Sequence, residues 1–414
     1  METIKSFQKL QWGSEVQLPN SRALMNSPHF VGGRYPCRSV AFVPRIILQD
    51  FSETVEHLNV LDPFMGSGTT GIEAVHYANS VHGVEIDPYA RLIASVATRQ
   101  YSYDEIEALK ELVLEVGANT TEQRPNSDLH PQLKNIQYWF SDENFVDLLK
   151  LKSTIFKVTD EGSLRDFLLT AFGDIIRACS KAERQSLKPY ISKKYLKKPK
   201  PVLEEFLRIA PKYIQAVVPN TIQKSKGITW EGSDATSFDV SVPIDLAITS
   251  PPYINAIDYT RCIKLESAWI GTADNATISA VRNAQLGESV RRHRTIDDKL
   301  LTSIAIKYFG ELESVDNARF KTALAFFEDM KCNLRSVFHA LKPGGAYYII
   351  IGNSTIRGID VPTHQAIAEI AVELGYKWDK YFRYRIKNHR TSIPRGDRGG
   401  KIEFEHVLGL VKPL

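Results

Sequence analysis

The chain has 414 residues, of which 43% are hydrophobic and 24% charged, and a formal net charge of +4. This is ordinary globular composition at a length beyond one usual domain, so one large α/β unit carrying an insertion is expected. No run approaches a membrane span, Met1 to Lys5 do not form a charged leader before an apolar stretch, and Cys37, Cys179, Cys262 and Cys332 share no CxxC spacing. These features argue against membrane insertion, secretion, a disulfide framework and a metal site, and for a cytoplasmic protein with reduced thiols.

Residues 1–34 are polar with scattered apolar positions and read as an arm. From 35 to 100 helix and strand patterns alternate. A helix-like run extends to Phe51, and the apolar run Leu58 to Leu61 reads as a buried parallel strand. It leads into Asp62-Pro-Phe-Met-Gly-Ser-Gly-Thr-Thr70, with a helix expected from Thr69. Gly66 and Gly68 let the backbone turn sharply and admit a ligand, while Gly71 lets the helix pack close to the strand. Val81 to Asp87 gives a second strand that ends in acid, which places Glu85 to accept from both ribose hydroxyls of a nucleoside cofactor. The three glycines match the spacing of a dinucleotide fingerprint. The Asp-Pro-Phe opening and the lack of a second mononucleotide unit favour S-adenosylmethionine instead, since that cofactor is a cation with no pyrophosphate to seat on a helix.

Between 101 and 225 the alternation lapses, and helical spacing recurs over Tyr103 to Val116, Phe145 to Phe156, Leu164 to Ala182 and Val202 to Val218. The stretch reads as a helical insertion. Within it, Lys188 to Lys200 holds six lysines and two tyrosines without an acid. Strands resume at Ile228 to Trp230 and Ile244 to Ile248, and the second of these runs into Thr249-Ser-Pro-Pro-Tyr253. Two prolines cannot continue a central strand, so the chain stops rigidly at the carboxyl edge of the sheet, where α/β folds bind ligands. There Ser250 and the Pro251 carbonyl can accept hydrogen bonds from an exocyclic amine, Pro252 stiffens the turn, and Tyr253 offers a flat face to a flipped base. An irregular segment, 254–318, then precedes a long helix from Phe320 to Leu341. Arg291 to Arg294 form a second basic cluster, and Arg383, Arg385, Lys387, His389, Arg390, Arg395 and Arg398 a third. Three such clusters fit phosphate contacts.

The two motifs together resemble the S-adenosylmethionine-dependent DNA amino-methyltransferases of bacterial restriction-modification systems. The resemblance implies a Rossmann-like class I methyltransferase fold, with a mostly parallel sheet and helices on both faces. It also implies that Asp62, Pro63, Phe64, Gly66, Gly68, Glu85, Asp234 and Tyr35 bind the cofactor, and that Ser250, Pro251, Pro252 and Tyr253 are catalytic. Asp234 enters through Gly232-Ser-Asp-Ala235, which resembles the acidic turn that receives adenine. Tyr35-Pro-Cys-Arg38 resembles the segment that covers the methionine end. Leu341 to Gly345 with Tyr347 to Gly352, and Glu405 to Val411, resemble late strands of that fold. A serine-led tetrad favours N4 of cytosine over N6 of adenine. The pattern along the chain gives an arm (1–34), a cofactor-binding part (35–100), a helical insertion (101–225) and a catalytic part (226–414) with 254–318 inserted. The order of motifs resembles the class whose DNA recognition region lies between them, which points to 101–225. Here, however, Gly232 to Ala235 follows the insertion, so 254–318 is the alternative seat of recognition or shares it. Double-stranded DNA and a cognate endonuclease are the implied partners. The rival readings are N6-adenine methylation, methylation of an RNA amino group, and a regulator that binds DNA without modifying it. No side-chain general base is required, Asp258 is a weak candidate to assist, and Tyr259 and Arg261 either line the base pocket or start a helix.

Overall fold

The computed structural model describes residues 7–19, 27–33, 35–36, 38–184, 186–194, 196–254, 258–287, 296, 298–386 and 402–414. Strand β1 (Ser14–Val16) precedes helix α1 (Phe42–Thr54), after which β2 (Asn59–Asp62), α2 (Thr69–Tyr77), β3 (Ser80–Val84) and α3 (Pro88–Thr98) alternate. Next come α4 (Tyr103–Asn119), α5 (Asp142–Val158), α6 (Ser163–Cys179) and α7 (Val202–Val217), with no strand between them among the described residues. Strands β4 (Ile228–Gly232) and β5 (Ile244–Thr249) are followed by α8 (Tyr259–Ile270), α9 (Asn275–Ala284), α10 (Lys299–Phe309), α11 (Glu311–Val315) and α12 (Asn317–Ala340). Then come β6 (Leu341–Gly352), a small hairpin of β7 (Ser354–Ile356) and β8 (Ile359–Val361), α13 (Thr363–Glu373), β9 (Lys377–Arg385) and β10 (Phe404–Val411).

Eight strands make one sheet in the order β1-β9-β10-β6-β5-β2-β3-β4. Only β10 runs against its neighbours, β6 and β9; the remaining pairs are parallel. The central strands are apolar on both sides because both faces are covered. In β6, Ala346, Tyr348 and Ile350 enter one core with residues of α1 and α2, while Tyr347, Ile349 and Ile351 enter another with residues of α10, α12 and α13. This is the Rossmann-like, mostly parallel α/β fold with helices on both faces that the sequence leads one to expect.

A third core holds the helical stretch. Residues of α4 to α8 pack there with Ile72 of α2 and Ile93 and Ala97 of α3, so the helices form a layer outside the first face of the sheet. Capping explains where several of them start. Ser102 and Glu105 form a reciprocal capping box on α4, and the side chains of Ser141 and Asp258 cap α5 and α8. A buried ion pair, Arg177 with Glu266 at 3.4 Å, and a 2.6 Å bond from Arg177 to the Cys262 carbonyl join α6 to α8.

Two expectations are corrected. The stretch read as an arm includes β1, which extends the sheet by pairing with β9. The segment read as irregular, 254–318, contains α8 to α11 and the start of α12, because Asp258, Asp274 and Asp298 each cap a helix that apolar spacing alone announces weakly. No helix among the described residues is long and apolar enough to cross a membrane.

Candidate active site

A cleft of about 860 Å³, solvent mouth included, opens at the carboxyl edge between β2 and β5. Strand order reverses there: the chain runs from β2 outward to β3 and β4, then returns to β5 on the other side of β2. Such a switch point separates the connecting helices and leaves a crevice. The parallel register of β2 and β5, Val60 opposite Leu246 and Leu61 opposite Ala247, brings the two sequence motifs to the same level. They are joined directly. Thr249 Oγ1 donates to Asp62 Oδ1 at 2.5 Å, although the two residues lie 187 positions apart.

On the β2 side, Asp62 Oδ1 also accepts from the Phe64 amide at 3.0 Å, fixing the turn. Gly66 has a φ of +54°, and the nearest atoms to a Cβ there would be 3.9 Å away, one of them on the Tyr35 ring. The turn therefore needs glycine for its backbone, while the space over it stays open for a ligand. Glu85, just past β3, accepts from the Gly66 amide at 2.7 Å and the Asp87 amide at 2.8 Å. Burial outweighs these bonds and pushes the Glu85 carboxyl up to about 7, and burial likewise raises Asp62 to about 6. Asp234 lies at the exposed rim, where Oδ1 accepts from the Thr236 amide at 2.9 Å and from its hydroxyl at 2.7 Å.

Of the residues expected to bind cofactor, Tyr35, Asp62, Pro63, Phe64, Gly66, Glu85 and Asp234 all line this cleft. Gly68 does not. It caps α2 with a φ of +87°, and a Cβ there would lie 3.0 Å from that of Ala94, so its place is set by helix packing. Gly71 is similar, with Ile228 and Met65 3.0 and 3.2 Å from its missing Cβ.

On the β5 side, Ser250 and Pro252 line the cleft, while Pro251 is buried behind them. Tyr253 turns toward the late strands. Its hydroxyl donates to Glu405 Oε1 at 2.5 Å, and the Tyr384 hydroxyl donates to Glu405 Oε2. Glu405 reaches this level because β10 is antiparallel, so its first residues lie beside the last of β6, with Glu405 opposite Gly352. A Cβ at Gly352 would come within 2.7 Å of the Ile402 side chain and 3.1 Å of the Tyr253 ring, which explains the glycine. Burial, reinforced by the Glu405 charge, keeps both tyrosines well above their usual value, so each remains a donor.

Several cleft residues had no sequence signal. Ala284, Gln285 and Leu286 reach it from the end of α9, in the segment read as irregular, and Ser39 follows the Tyr35 to Arg38 segment, whose Arg38 also lines the cleft. Tyr259 lines the cleft and is also the first residue of α8; Asp258 is the cap of that helix, and Arg261 is exposed. Glu405 was legible only as the start of an apolar strand.

The basic clusters are partly reassigned. Lys197 Nζ donates to the carbonyls of Arg177, Ser180 and Ala182 at 2.6, 2.8 and 2.9 Å, and Lys200 pairs with Glu205 at 2.8 Å. Both stabilise the helical layer; Lys188, Lys193, Lys194 and Lys198 are exposed. Arg383 and Arg385 stack on Phe404 and approach Glu15 at 3.3 and 4.0 Å. Cys37, Arg291 to Arg294, Lys387, His389, Arg390, Arg395 and Arg398 lie outside the described residues.

No protein-family model matches the chain. It is similar to the Type II methyltransferase M.MvaI of Kocuria varians, 24% identical over 392 residues that take in 86% of this chain and 84% of that protein. It is also similar to the Type II methyltransferase M.BsoBI of Geobacillus stearothermophilus, 21% identical over 82% of this chain and 77% of the relative. The Type II methyltransferase M.AvaI of Anabaena variabilis is 30% identical over 190 residues, 41% of this chain and 38% of that protein. Among solved structures, a SAM-dependent methyltransferase from Methanosarcina mazei overlays at 9% identity with a TM-score of 0.32, over 89% of this chain and 97% of that one.

Proposed function

We propose that the chain is an S-adenosylmethionine-dependent DNA methyltransferase of a restriction-modification system, acting on an exocyclic amino group, N4 of cytosine. The observation that carries this reading is the Thr249 to Asp62 bond, which sets an acidic cofactor cradle and a serine-led Pro-Pro-Tyr turn side by side at one switch point. Similarity to Type II methyltransferases over most of the chain supports it.

The cleft fits the cofactor chemically. Buried carboxylates raised by desolvation gain most from a cationic, hydroxyl-bearing ligand, and Gly66 leaves room for one. Bound there, the cofactor supplies an electrophilic methyl on sulfur. In this reading Glu85 accepts from the ribose hydroxyls, Asp234 meets the adenine amine, and Tyr35 and Phe64 wall the pocket. Asp62 holds the turn. Across the cleft Ser250 Oγ and the Pro251 carbonyl accept the two N–H bonds of the target amine, which draws its lone pair from the ring and aims it at the methyl. The amine held by these acceptors would take the methyl that the cofactor supplies together with its positive charge, and would then release a proton to water. Tyr253 stacks on the base. Positioning does most of the work.

A radiolabelled methyl-transfer assay on duplex DNA tests this. The wild-type protein should label DNA, and Ser250→Ala should slow labelling by roughly a hundredfold while cofactor and DNA binding persist. Absence of labelling by wild-type protein that demonstrably binds the cofactor would refute the reading.

A further inference from the structure

Gln285 follows α9 and lines the same cleft as Ser250 and Tyr259. It is 8% exposed, and its Oε1 is buried without a hydrogen-bond partner. Leaving a buried amide oxygen unmet costs the fold the full desolvation of that group, so such an atom calls for an explanation. Among the described residues, the other buried side-chain acceptors without a partner are Asn220 Oδ1, Gln223 Oε1 and Glu266 Oε2, and none of them lines the cleft. Gln285 is where a bound ligand can satisfy the orphaned group.

Its surroundings say which end of the cleft it serves. Three residues before it, Arg282 Nε lies 3.4 Å from Asp258 Oδ2, tying the end of α9 to the cap of α8. Two residues after it, Gly287 sits so close to the chain leaving the tetrad that a Cβ would come within 2.9 Å of the Tyr253 carbonyl oxygen. Gln285 is thus held between two contacts to the segment that follows the Pro-Pro turn, on the catalytic side of the cleft.

We infer that Gln285 Oε1 is a further acceptor for the exocyclic amine of the target base, beside Ser250. The inference rests on the proposed methyltransferase reading. An amine held for transfer offers N–H donors, which is the chemistry an unmet carbonyl oxygen takes. The amine has two N–H bonds: one goes to Ser250 Oγ, and the second is shared between the carbonyl of Pro251, a residue that is buried and does not itself line the cleft, and Gln285 Oε1 on the same catalytic side. The nitrogen becomes cationic as the new bond forms, and a fixed carbonyl dipole aimed at it favours that charge more than the neutral amine before it. Gln285 therefore acts on the rate as well as on binding.

The same oxygen could instead receive a hydroxyl or ammonium hydrogen of the cofactor, and the test separates these sources. On a duplex the wild-type protein methylates, Gln285→Leu, which removes the acceptor, should lower kcat roughly tenfold or more with cofactor affinity unchanged. Gln285→Glu, which keeps an acceptor, should recover much of the loss, an outcome that a purely structural role would not give. If Gln285→Leu weakens cofactor binding but transfers at the wild-type rate once saturated, the oxygen serves the cofactor and the inference fails. Equal kcat in all three proteins also overturns it. Failure of the wild-type protein to methylate any duplex would instead remove the functional reading beneath it.

Discussion

Glu85 carries the strongest residue-scale consequence. Its folded value, about 7, stands above the ordinary 4.5 because burial disfavours the charge. The sign follows from linkage. A raised carboxyl contributes stability that is complete below about 4.5 and is lost as pH climbs through about 7, and Asp62, raised to about 6, adds to the trend. The melting temperature of the ligand-free protein should therefore fall between pH 5 and pH 8, and Glu85→Gln should flatten that fall. Cofactor affinity should move the opposite way, weakening below pH 7 as Glu85 takes up a proton and can no longer accept from two hydroxyls. Calorimetric titration across this range checks it, and a pH-independent affinity would contradict the role given to Glu85.

The same scale holds the Tyr253 to Glu405 to Tyr384 arrangement. A hydrogen bond to a charged group contributes about 1.5–3 kcal/mol. Glu405→Gln and Tyr253→Phe should each lower kcat by roughly tenfold or more while sparing cofactor affinity, and combining them should cost little beyond either alone, since both release one ring. Additive losses would mean that Glu405 does not act through Tyr253. The tyrosine was legible in the sequence because it belongs to a contiguous motif. Its partner was not, since the pairing depends on an antiparallel strand closing the sheet 152 residues later.

At the scale of elements, local signals were read well wherever they are strong. The strand, turn and helix around Asp62 to Thr70 follow from an apolar run, a glycine turn and helical spacing, and the Pro-Pro pair ends β5 at Thr249 for the covalent reason that proline lacks a donor. The segment 254–318 was harder. α9 has no buried residue in its span, so no apolar stripe marks it, and Gln285 went unnoticed with it. The lysine-rich stretch misled in another way, because a lysine that caps carbonyls and one that faces solvent look alike in sequence. Lys197→Met should lower stability by about 1–3 kcal/mol through the carbonyls it leaves unmet near the end of α6, with little effect on DNA affinity. Charge reversal at Lys193 and Lys194, both exposed, should spare stability and, if that stretch meets phosphates, shallow the salt dependence of DNA binding. Chemical denaturation and salt-titrated binding separate the two lysine classes.

For the whole molecule, the decisive feature is the strand order, which no local pattern states. Reversal between β2 and β5 creates the crevice, the parallel register brings both motifs to its rim, and the covered faces keep those strands rigid. The helical layer packs outside α2 and α3, and α8 runs from the tetrad side of the cleft into that layer, held by Arg177. We propose on this basis that DNA bound along residues 101–225 is coupled to the tetrad through α8. Breaking the buried Arg177 to Glu266 pair should destabilise the chain by about 3–5 kcal/mol, which thermal melting of Glu266→Ala would register.

Amino-group methylation of DNA is read most directly from the identity of the product. Incubation of the protein with S-adenosylmethionine and unmethylated genomic DNA, digestion to nucleosides and mass spectrometry should reveal N4-methylcytosine. N6-methyladenine would keep the chemistry and overturn the base. A wild-type protein that binds the cofactor yet leaves every DNA nucleoside unmodified would contradict a DNA methyltransferase activity.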